Sequence, residues 1–387
     1  MKKNRLLLFI VLVSGTLAAS IKSGQTKQIM HSVYASMDTI LPLSIRLGDF
    51  SDKKNIPIIK KELANLKKNA FLLNKHVATT TINNKIVSDN LAADIMDLEE
   101  IYNNGEYERS RFILHNLTEN CTNCHTRMNP SQKKDTSFQI HFSKENMKDL
   151  NGFDLAHFQA MVRQFDLAMD TYEKEFRKEP MQIDSQSFYE YLKIAIRVKS
   201  DYDRVLNLLK DLHSKIDKKL DLYQTVNAWI QSLRDIKRNK LDANVSMKTT
   251  EQLLTKAGAI ITYPKDESGF IYLLTASKNL HTMLDSNKFS KDELAKIYFY
   301  LGQTEGFISL SCWLNEYEQY YEYAIRTSPG STWAELALSA LQESYLFGFS
   351  GSSGTHLPPE IIKKLQELNE LILKTKIHER KPIYLTR

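Results

Sequence analysis

The residues whose types and spacing suggest chemistry are the cysteines and histidine of the pentapeptide Cys121-Thr122-Asn123-Cys124-His125. On one helical turn, thiols three residues apart point the same way and could form thioethers to the two vinyl groups of a haem, while the adjacent imidazole reaches the iron. A disulfide or half of a zinc site is the alternative, but no second cysteine pair completes a zinc tetrad. The pentapeptide predicts one covalent haem c, attached through Cys121 and Cys124, with His125 as proximal iron ligand.

The amino-terminal residues 1–20 have the composition of an export signal. Three basic residues precede an apolar run from Leu6 to Val13, and small residues follow at 18–20. The apolar run is shorter than the roughly 20 residues that a membrane-spanning helix needs, and no later stretch approaches that length. We expect a cleaved signal peptide, a periplasmic mature protein and no transmembrane segment after cleavage. Because thioethers to haem are formed on exported chains, the signal and the pentapeptide support each other.

The amino-acid composition limits which fold classes and which kinds of binding partner are expected. The chain has 387 residues, of which 42% are hydrophobic and only 13 are Gly and 9 Pro. It is therefore long enough for two domains and lacks the turn residues of β-rich folds, so we predict an all-α protein. Without the three bases of residues 1–20, 49 bases face 46 acids, and this net charge of +3 gives no indication of nucleic-acid binding. We interpret the third cysteine, Cys312, as an inert core thiol in an aromatic helix.

Hydrophobic periodicity predicts four helices up to the end of the pentapeptide. They run from about Gln25 to Leu41, where Pro42 should end or kink the first; from Pro57 to Val77; from near Asn90 to Tyr102, with Gly105 as a left-handed cap; and through Ile113 and Leu117 into the cysteines. The expected buried face of the second helix is Leu63, Leu66, Ala70, Leu73 and Val77, and that of the third is Leu91, Ile95, Leu98 and Tyr102. Four amphipathic helices joined by short loops predict an antiparallel four-helix bundle over residues 21–130.

Together these residues resemble the class II c-type cytochromes, typified by cytochrome c prime, over about Gln25 to Pro130. In that family the haem motif closes the last helix of a four-helix bundle, and the first helix carries a ligand-position residue followed seven positions later by an apolar one. The stretch 27–30 with Met37 is similar to that pattern. The family also places an aromatic and a base just past the histidine, where this chain has Arg127 and Met128. Lys27 could instead contact the haem propionates.

Bundle geometry makes Met30 the candidate distal iron ligand, independently of the resemblance. In an up-down-up-down bundle the start of the first helix and the end of the fourth lie at the same end, which places Met30 beside His125. Met37 lies about 10 Å further along the axis at 1.5 Å per residue. The alternative is that Met30 is a core methionine filling space above the porphyrin. His31 and His76 are the rival ligands, although a histidine at a helix end, such as His76, suits a solvated cation.

A polar stretch at 131–136 marks the predicted domain boundary, with a linker at 131–150 and an all-helical domain at 151–387. Small residues and prolines at tetratricopeptide spacings predict TPR-like helical-hairpin repeats there. They are Leu155, Ala156, Ala168, Tyr172 and Pro180, then Tyr321, Ala324, Pro329, Leu338 and Ser339. An unrelated helical domain is the alternative. The aromatic residues Trp313, Tyr317, Tyr320, Tyr321 and Tyr323 either line a peptide groove or pack in the core.

We expect an exported monohaem electron carrier rather than an enzyme, because no catalytic constellation is recognisable from residue spacing. The TPR-like module would dock a redox partner protein, since helical repeats stack into extended binding surfaces. The alternative is a haem protein with an open distal iron position, which binds a small gas or peroxide as a sensor or weak enzyme. Ligation by Met30 separates the two. A class I cytochrome fold with Met181 as ligand is a further alternative, for which the predicted helix from Leu155 to Phe176 leaves little room.

Overall fold

A computed structural model of the chain describes residues 3–46, 48–77, 82–127, 150, 152–178, 180, 183, 185–262, 266–286, 288–309, 316–352 and 354–379. Within these ranges the chain forms fifteen α-helices, one π-helical segment and two strands of two residues each. The predicted all-α class is confirmed at this level.

The helices have the following bounds in chain order. The first five are α1 (Lys3–Ile45), α2 (Ile56–Val77), α3 (Ile82–Asn103), α4 (Tyr107–Arg127) and α5 (Gly152–Met161). The next five are α6 (Phe165–Lys178), α7 (Ser185–Lys193), α8 (Tyr202–His213), α9 (Asp221–Arg238) and α10 (Met247–Ile260), with the π-helical segment Ile194–Lys199 directly after α7. The last are α11 (Phe270–Leu284), α12 (Lys291–Ile308), α13 (Glu316–Thr327), α14 (Thr332–Gly348) and α15 (Pro359–Glu379). Between α14 and α15, β1 (Ser350–Gly351) pairs antiparallel with β2 (Gly354–Thr355), with Ser350 opposite Thr355.

The described residues divide into two compact units. The first contains the residues up to His125 together with those between 137 and 163. The second contains Thr126 and Arg127 together with the residues from Gln164 onward. The division therefore falls inside α4. The predicted linker at 131–150 lies outside the described residues except for Leu150, as do Pro130, Met181, Cys312 and Trp313.

One apolar core joins the five helices of the first unit. Its members on α2 are Ile59, Leu63, Leu66, Ala70, Leu73 and Val77, and those on α3 include Leu91, Ile95, Leu98 and Tyr102. The predicted buried faces of these two helices are confirmed. The phenol of Tyr102 donates to the carbonyl of Phe50 at 2.9 Å, so the largest polar group of this core is satisfied.

Three helix boundaries of the first unit differ from the sequence prediction. Helix α1 begins at Lys3 rather than at about Gln25. Helix α1 continues through Pro42 to Ile45, because a proline so close to the helix end costs only the hydrogen bond to Asp38 and one turn beyond it remains. Helix α3 begins at Ile82 rather than near Asn90. Its carboxyl-terminal cap is as predicted, since Gly105 has φ +85° and its N–H donates to the carbonyl of Tyr102 at 3.1 Å.

The prediction placed α5 at the start of the second domain, whereas α5 packs in the core of the first unit. Phe158, Met161 and Val162 belong to the same buried cluster as α1 to α4, and Leu155 packs against it. Helix α5 packs there because these four apolar side chains are buried against the apolar residues of that core. The tetratricopeptide spacing that included Leu155 therefore spans two units.

The second unit is a succession of packed helices. From α10 to α15 each helix contacts the next along the chain. Helices α12 and α13 cross closely at Gly302, where a Cβ atom would overlap the ring of Tyr321. Tyr320 and Tyr321 are buried, which favours the core interpretation of these aromatic residues over the groove. Across the part of the chain that the structure describes, no helix has both the length and the apolar composition to span a bilayer.

Candidate functional site

Cys121, Cys124 and His125 lie in the last two turns of α4. Both cysteines are partly buried thiols rather than halves of a disulfide. Ser110 fixes the helix against α3, because its buried hydroxyl donates to the carbonyl of Leu98 at 3.2 Å. The three predicted haem-binding residues therefore lie on a helix that is anchored in the core of the first unit.

Next to these residues, α1, α4 and the end of α5 enclose an apolar space that we call the candidate pocket. Its lining residues are Met30, Val33, Tyr34, Met37, Cys121, His125, Met161, Val162 and Arg163. The pocket brings together three of the four predicted site residues, Met30, Cys121 and His125. Cys124, one turn further along α4, is not part of this lining. The pocket offers a thiol, a thioether and an imidazole on apolar walls, a donor set suited to a haem.

The hydrogen bond of His125 decides what its imidazole can do. Its Nδ1 lies 2.8 Å from the carbonyl oxygen of Met161. A carbonyl can only accept, so Nδ1 carries the proton and Nε2 of the neutral ring keeps its lone pair. Metal-bound histidines usually make this type of bond with the other ring nitrogen, which fixes the tautomer and the orientation of the ring. The arrangement leaves Nε2 as the nitrogen that could coordinate iron.

His125 is also held in its neutral form. Burial lowers the pKa of its imidazole to about 4, the positive charge of Arg163 acts in the same direction, and the bond to Met161 opposes both in part. A ligating imidazole must be neutral on the nitrogen that binds the metal. At neutral pH the ring is therefore in the protonation state that a metal ligand requires.

Two methionines of α1, Met30 and Met37, line the candidate pocket. Met30 is partly buried, whereas Met37 is 3% exposed and belongs to the apolar core. Seven residues at 1.5 Å each place them about 10 Å apart along α1. The rival histidines His31 and His76 are not part of the lining, and His31 is exposed. Among the predicted distal candidates, the pocket wall favours Met30.

Tyr34, one turn after Met30, adds a phenol to the candidate pocket. Burial raises the pKa of its hydroxyl, and the nearby negative charge of Asp38 raises it further. The phenol therefore stays protonated at any physiological pH and can act as a hydrogen-bond donor. The sequence analysis did not single out this residue.

No protein-family model, no curated protein and no solved structure matches this chain. The candidate pocket must therefore be judged by its own geometry. Among the described residues, no group of three or more His, Cys, Asp and Glu side chains could hold a bare metal ion. A haem iron needs no such group, because the protein supplies axial ligands only.

Sequence reasoning missed the contribution of α5 to the candidate pocket. Met161, Val162 and Arg163 form one of its walls, and Met161 supplies the acceptor for His125. No local signal marks these residues, because their role depends on packing against a helix more than thirty residues earlier. Only the left-handed backbone of Arg163, with φ +65°, makes this turn unusual, and that is a property of the structure.

A second concentration of titratable groups, which we call the buried charge cluster, lies in the second unit. Its members are Arg127, Arg197, His281, Glu305 and Glu316. Glu305 is at its centre, with Oε2 2.6 Å from Arg127 Nη2 and Oε1 2.8 Å from Arg197 Nη2. Arg127 also pairs with Glu316. The side chains of these two arginines and two glutamates are each no more than 5% exposed.

The charges of this cluster neutralise one another. Burial alone would raise the pKa of Glu305, but the charges of Arg127 and Arg197 and the hydrogen bond from His281 outweigh it and hold the pKa well below its usual value. Burial lowers the pKa of His281 to about 4, so this ring is neutral and donates from Nε2 to Glu305 at 3.0 Å. Two cations therefore face two anions, as the burial of charge requires.

Proposed function

We propose that this chain is an exported, periplasmic monohaem c-type cytochrome that transfers electrons. The observation that carries the proposal is the bond from His125 Nδ1 to the Met161 carbonyl, which leaves Nε2 for iron in a pocket shared with Cys121 and Met30. If the pentapeptide had arisen by chance on a surface helix, we would not expect its histidine to be fixed in one tautomer in a pocket that also contains a methionine.

Each residue has a defined role in this proposal. Cys121 and Cys124 hold the haem through thioethers, His125 is the proximal ligand and Met30 the distal ligand. Bound haem would supply an iron that alternates between the ferric and ferrous states. With His125 and Met30 as its two protein ligands, the iron would need no change of ligand when an electron is transferred. The apolar walls at Val33, Met37 and Val162 would exclude water from the iron.

The same proposal assigns a role to each unit. Helices α1 to α4 form a class II-like four-helix bundle around the haem, supported by their shared core. The helices after α5 form TPR-like hairpins, supported by the contact of each helix with the next from α10 to α15 and by the close crossing at Gly302. Such repeats offer an extended surface for a protein, and we assign them to the docking of a redox partner. Residues 1–20 act as the export signal.

The first test asks whether haem is covalent. The full chain, expressed with its amino-terminal segment in a host that matures c-type cytochromes, should keep its red colour on the polypeptide after extraction with acidified acetone. The double variant Cys121→Ser with Cys124→Ser should lose that colour. Extraction of the colour from the wild type, or covalent haem in the double variant, would falsify the proposal. The matched control is Cys312→Ser, which leaves the pentapeptide intact and should retain covalent haem.

Tyr34 favours a second candidate function, an open-site haem protein that binds a small gas or peroxide. Its protonated phenol on the pocket wall could donate to an iron-bound ligand, and distal donors of this kind favour ligand binding over electron transfer. The optical spectrum discriminates between the two. A low-spin oxidised protein that resists carbon monoxide when reduced supports the electron carrier. A high-spin protein that binds carbon monoxide supports the open site.

A further inference from the structure

Helix α2 has an exposed face that is both basic and apolar. The opposite face of the helix is the buried apolar row, which packs in the core with α1 and α3. Every exposed residue of α2 is either a lysine or an apolar residue, and none carries a negative charge or a neutral hydrogen-bonding side chain. The outer face of an amphipathic helix is usually polar and charged. On α2, large apolar side chains interrupt it.

Four lysines give this face its charge, namely Lys60, Lys61, Lys68 and Lys75. Lys61 lies 3.9 Å from a carboxylate oxygen of Glu62. Among the described residues, the other three have no carboxylate partner. Most of the positive charge on this face is therefore not neutralised within the described part of the chain. An anionic surface would supply the missing counter-charge.

Two large apolar side chains lie between these cations. Phe71 is 50% exposed and Leu72 is 45% exposed. Each lies three or four residues from Lys68 and from Lys75, so all four project from the same side of the helix. Lys61 continues the row, about 21 Å from Lys75 at 1.5 Å per residue. We call the residues Lys61, Lys68, Phe71, Leu72 and Lys75 the α2 stripe.

The composition of the α2 stripe fits a lipid surface better than a protein surface. Contact regions between proteins are depleted in lysine and enriched in arginine, tyrosine and tryptophan, and the stripe has lysine alone of these. Helices at a membrane surface combine lysine with phenylalanine or leucine. The apolar side chains enter the boundary between headgroups and acyl chains, while the long lysine side chains reach the phosphates.

The neighbouring helix α3 carries the opposite charge on its exposed residues. Asp97 and Glu100 are exposed there, without an exposed base between them. An anionic surface would attract the exposed face of α2 and repel that of α3. The first unit therefore has a preferred side for such a contact.

We infer that the α2 stripe docks the protein on a lipid bilayer with anionic phosphate headgroups. Lys61, Lys68 and Lys75 contact the phosphates, and Phe71 and Leu72 enter the bilayer boundary. The buried face of α2 stays in the core, so the contact is peripheral and reversible. This docking goes beyond the proposed electron transfer and needs no haem.

The experiment is co-sedimentation with lipid vesicles, using the chain as purified after export so that the apolar run of residues 6–13 does not itself bind lipid. The protein should bind vesicles that contain phosphatidylglycerol, and bind pure phosphatidylcholine much less. Salt at about 1 M should release it, because the Debye length is then about 3 Å. The double variant Lys68→Gln with Lys75→Gln should lower the partition coefficient about 25-fold, at about fivefold per lysine. Phe71→Ser should lower it severalfold through lost apolar burial.

Matched controls come from the second unit. Lys174→Gln with Lys210→Gln makes the same change of charge at two exposed lysines of α6 and α8. Phe347→Ser removes a phenylalanine that is 87% exposed. Both controls should bind vesicles as the wild type does. Circular dichroism verifies that each variant keeps its helices.

Three results would overturn the inference. They are equal binding to vesicles with and without phosphatidylglycerol, full binding by the α2 variants, and equal losses in the control variants. Binding to soluble polyglutamate without binding to either vesicle would identify an acidic protein as the partner instead. A chain that carries no haem should still bind the vesicles, so a failure of this docking is distinguishable from a failure of the proposed function.

Discussion

The candidate pocket and the buried charge cluster both bury titratable groups, and they do so in opposite ways. In the cluster every charge faces an opposite charge, and four hydrogen-bond donors converge on the carboxylate of Glu305. In the pocket, Nδ1 of His125 donates to the carbonyl of Met161, and Nε2 retains its lone pair. Met30 and Cys121 line the same pocket. A site that must receive a group keeps reactive atoms on a cavity wall, whereas a structural cluster uses its charges internally.

The energetics of the two regions differ accordingly. A buried ion pair adds little to stability compared with a well-packed apolar core, because desolvation offsets most of the attraction. Removing one partner is costly, since the remaining charge stays buried without its counter-charge. An apolar pocket wall loses only packing when a side chain is shortened. Substitutions in the two regions should therefore differ in size and in what they change.

The largest effect is expected for Glu305→Gln in the buried charge cluster. The substitution keeps the shape of the side chain and removes the charge that Arg127 and Arg197 share. It should lower the free energy of unfolding by about 3–5 kcal/mol, measured by denaturant titration with circular dichroism. The matched control is Glu367→Gln, which breaks the exposed pair with Arg326 and should cost less than about 1 kcal/mol. Equal losses in the two variants would show that the buried charge of Glu305 contributes no more to stability than the exposed charge of Glu367.

The difference in unfolding free energy between the wild type and Glu305→Gln should depend on pH. The pKa of Glu305 is lowered from 4.5, so its charge stabilises the folded state above that pH, and this contribution is lost as the pH falls through the lower pKa of the folded state. The difference between wild type and Glu305→Gln should therefore be complete above about pH 4.5 and shrink below it. A difference that persists unchanged in acid would mean that packing, and not charge, explains the loss.

An intermediate effect is expected in the candidate pocket, where two methionines of one helix should separate function from packing. Met37→Ala removes a side chain of the core and should cost about 2–5 kcal/mol in unfolding free energy. Met30→Ala, which is partly exposed, should cost less. Met30→Ala should instead make the oxidised protein high-spin, remove any red-region sulfur-to-iron band and lower the reduction potential. A spectral change in Met37→Ala would contradict this assignment of the two methionines. A low-spin spectrum that persists in Met30→Ala would also contradict it. In that case His31 or His76 would be the next residue to test.

The smallest effect on stability is expected for Arg163→Gly. Glycine relieves the left-handed backbone at φ +65° but adds freedom to the unfolded chain. These terms oppose each other, so the unfolding free energy of the haem-free protein should stay within about 1 kcal/mol of the wild type. A loss of several kcal/mol would show that Arg163 acts as a structural residue, like those of the buried charge cluster. The measurement is a denaturant titration of both proteins without haem.

The sequence was most informative where a local pattern determines the structure. The apolar period of α2 predicts all its buried residues from Leu63 to Val77, because one face of an amphipathic helix must enter the core. The first turns of α3 were missed, since Asn83, Asn84 and Ser88 are weak helix formers and tertiary packing outweighs their preference.

Contacts between distant residues could not be predicted in this way. The bond from His125 to Met161 joins two helices through a backbone carbonyl, which no side-chain pattern encodes. The buried charge cluster is equally hidden, because Arg and Glu are among the residues least often buried. The pentapeptide could be proposed as a haem site from the sequence, because its residue types and spacing suit haem attachment. Met30 could be proposed as a ligand from its position along the first helix. The place of Arg163 on the pocket wall and its left-handed backbone are visible only in the structure.

The long sequence separation within the buried charge cluster has a consequence for the synthesis of this protein. Arg127 and Glu316 are 189 residues apart, so at about 5–20 residues per second the ribosome needs roughly 10–40 s to supply the partner of Arg127. His125 and Met161 are 36 residues apart, an interval of about 2–7 s at the same rates. Met161 thus becomes available to His125 long before Glu316 becomes available to Arg127. Throughout that interval the arginine must remain hydrated, which leaves the end of α4 accessible to chaperones and to proteases.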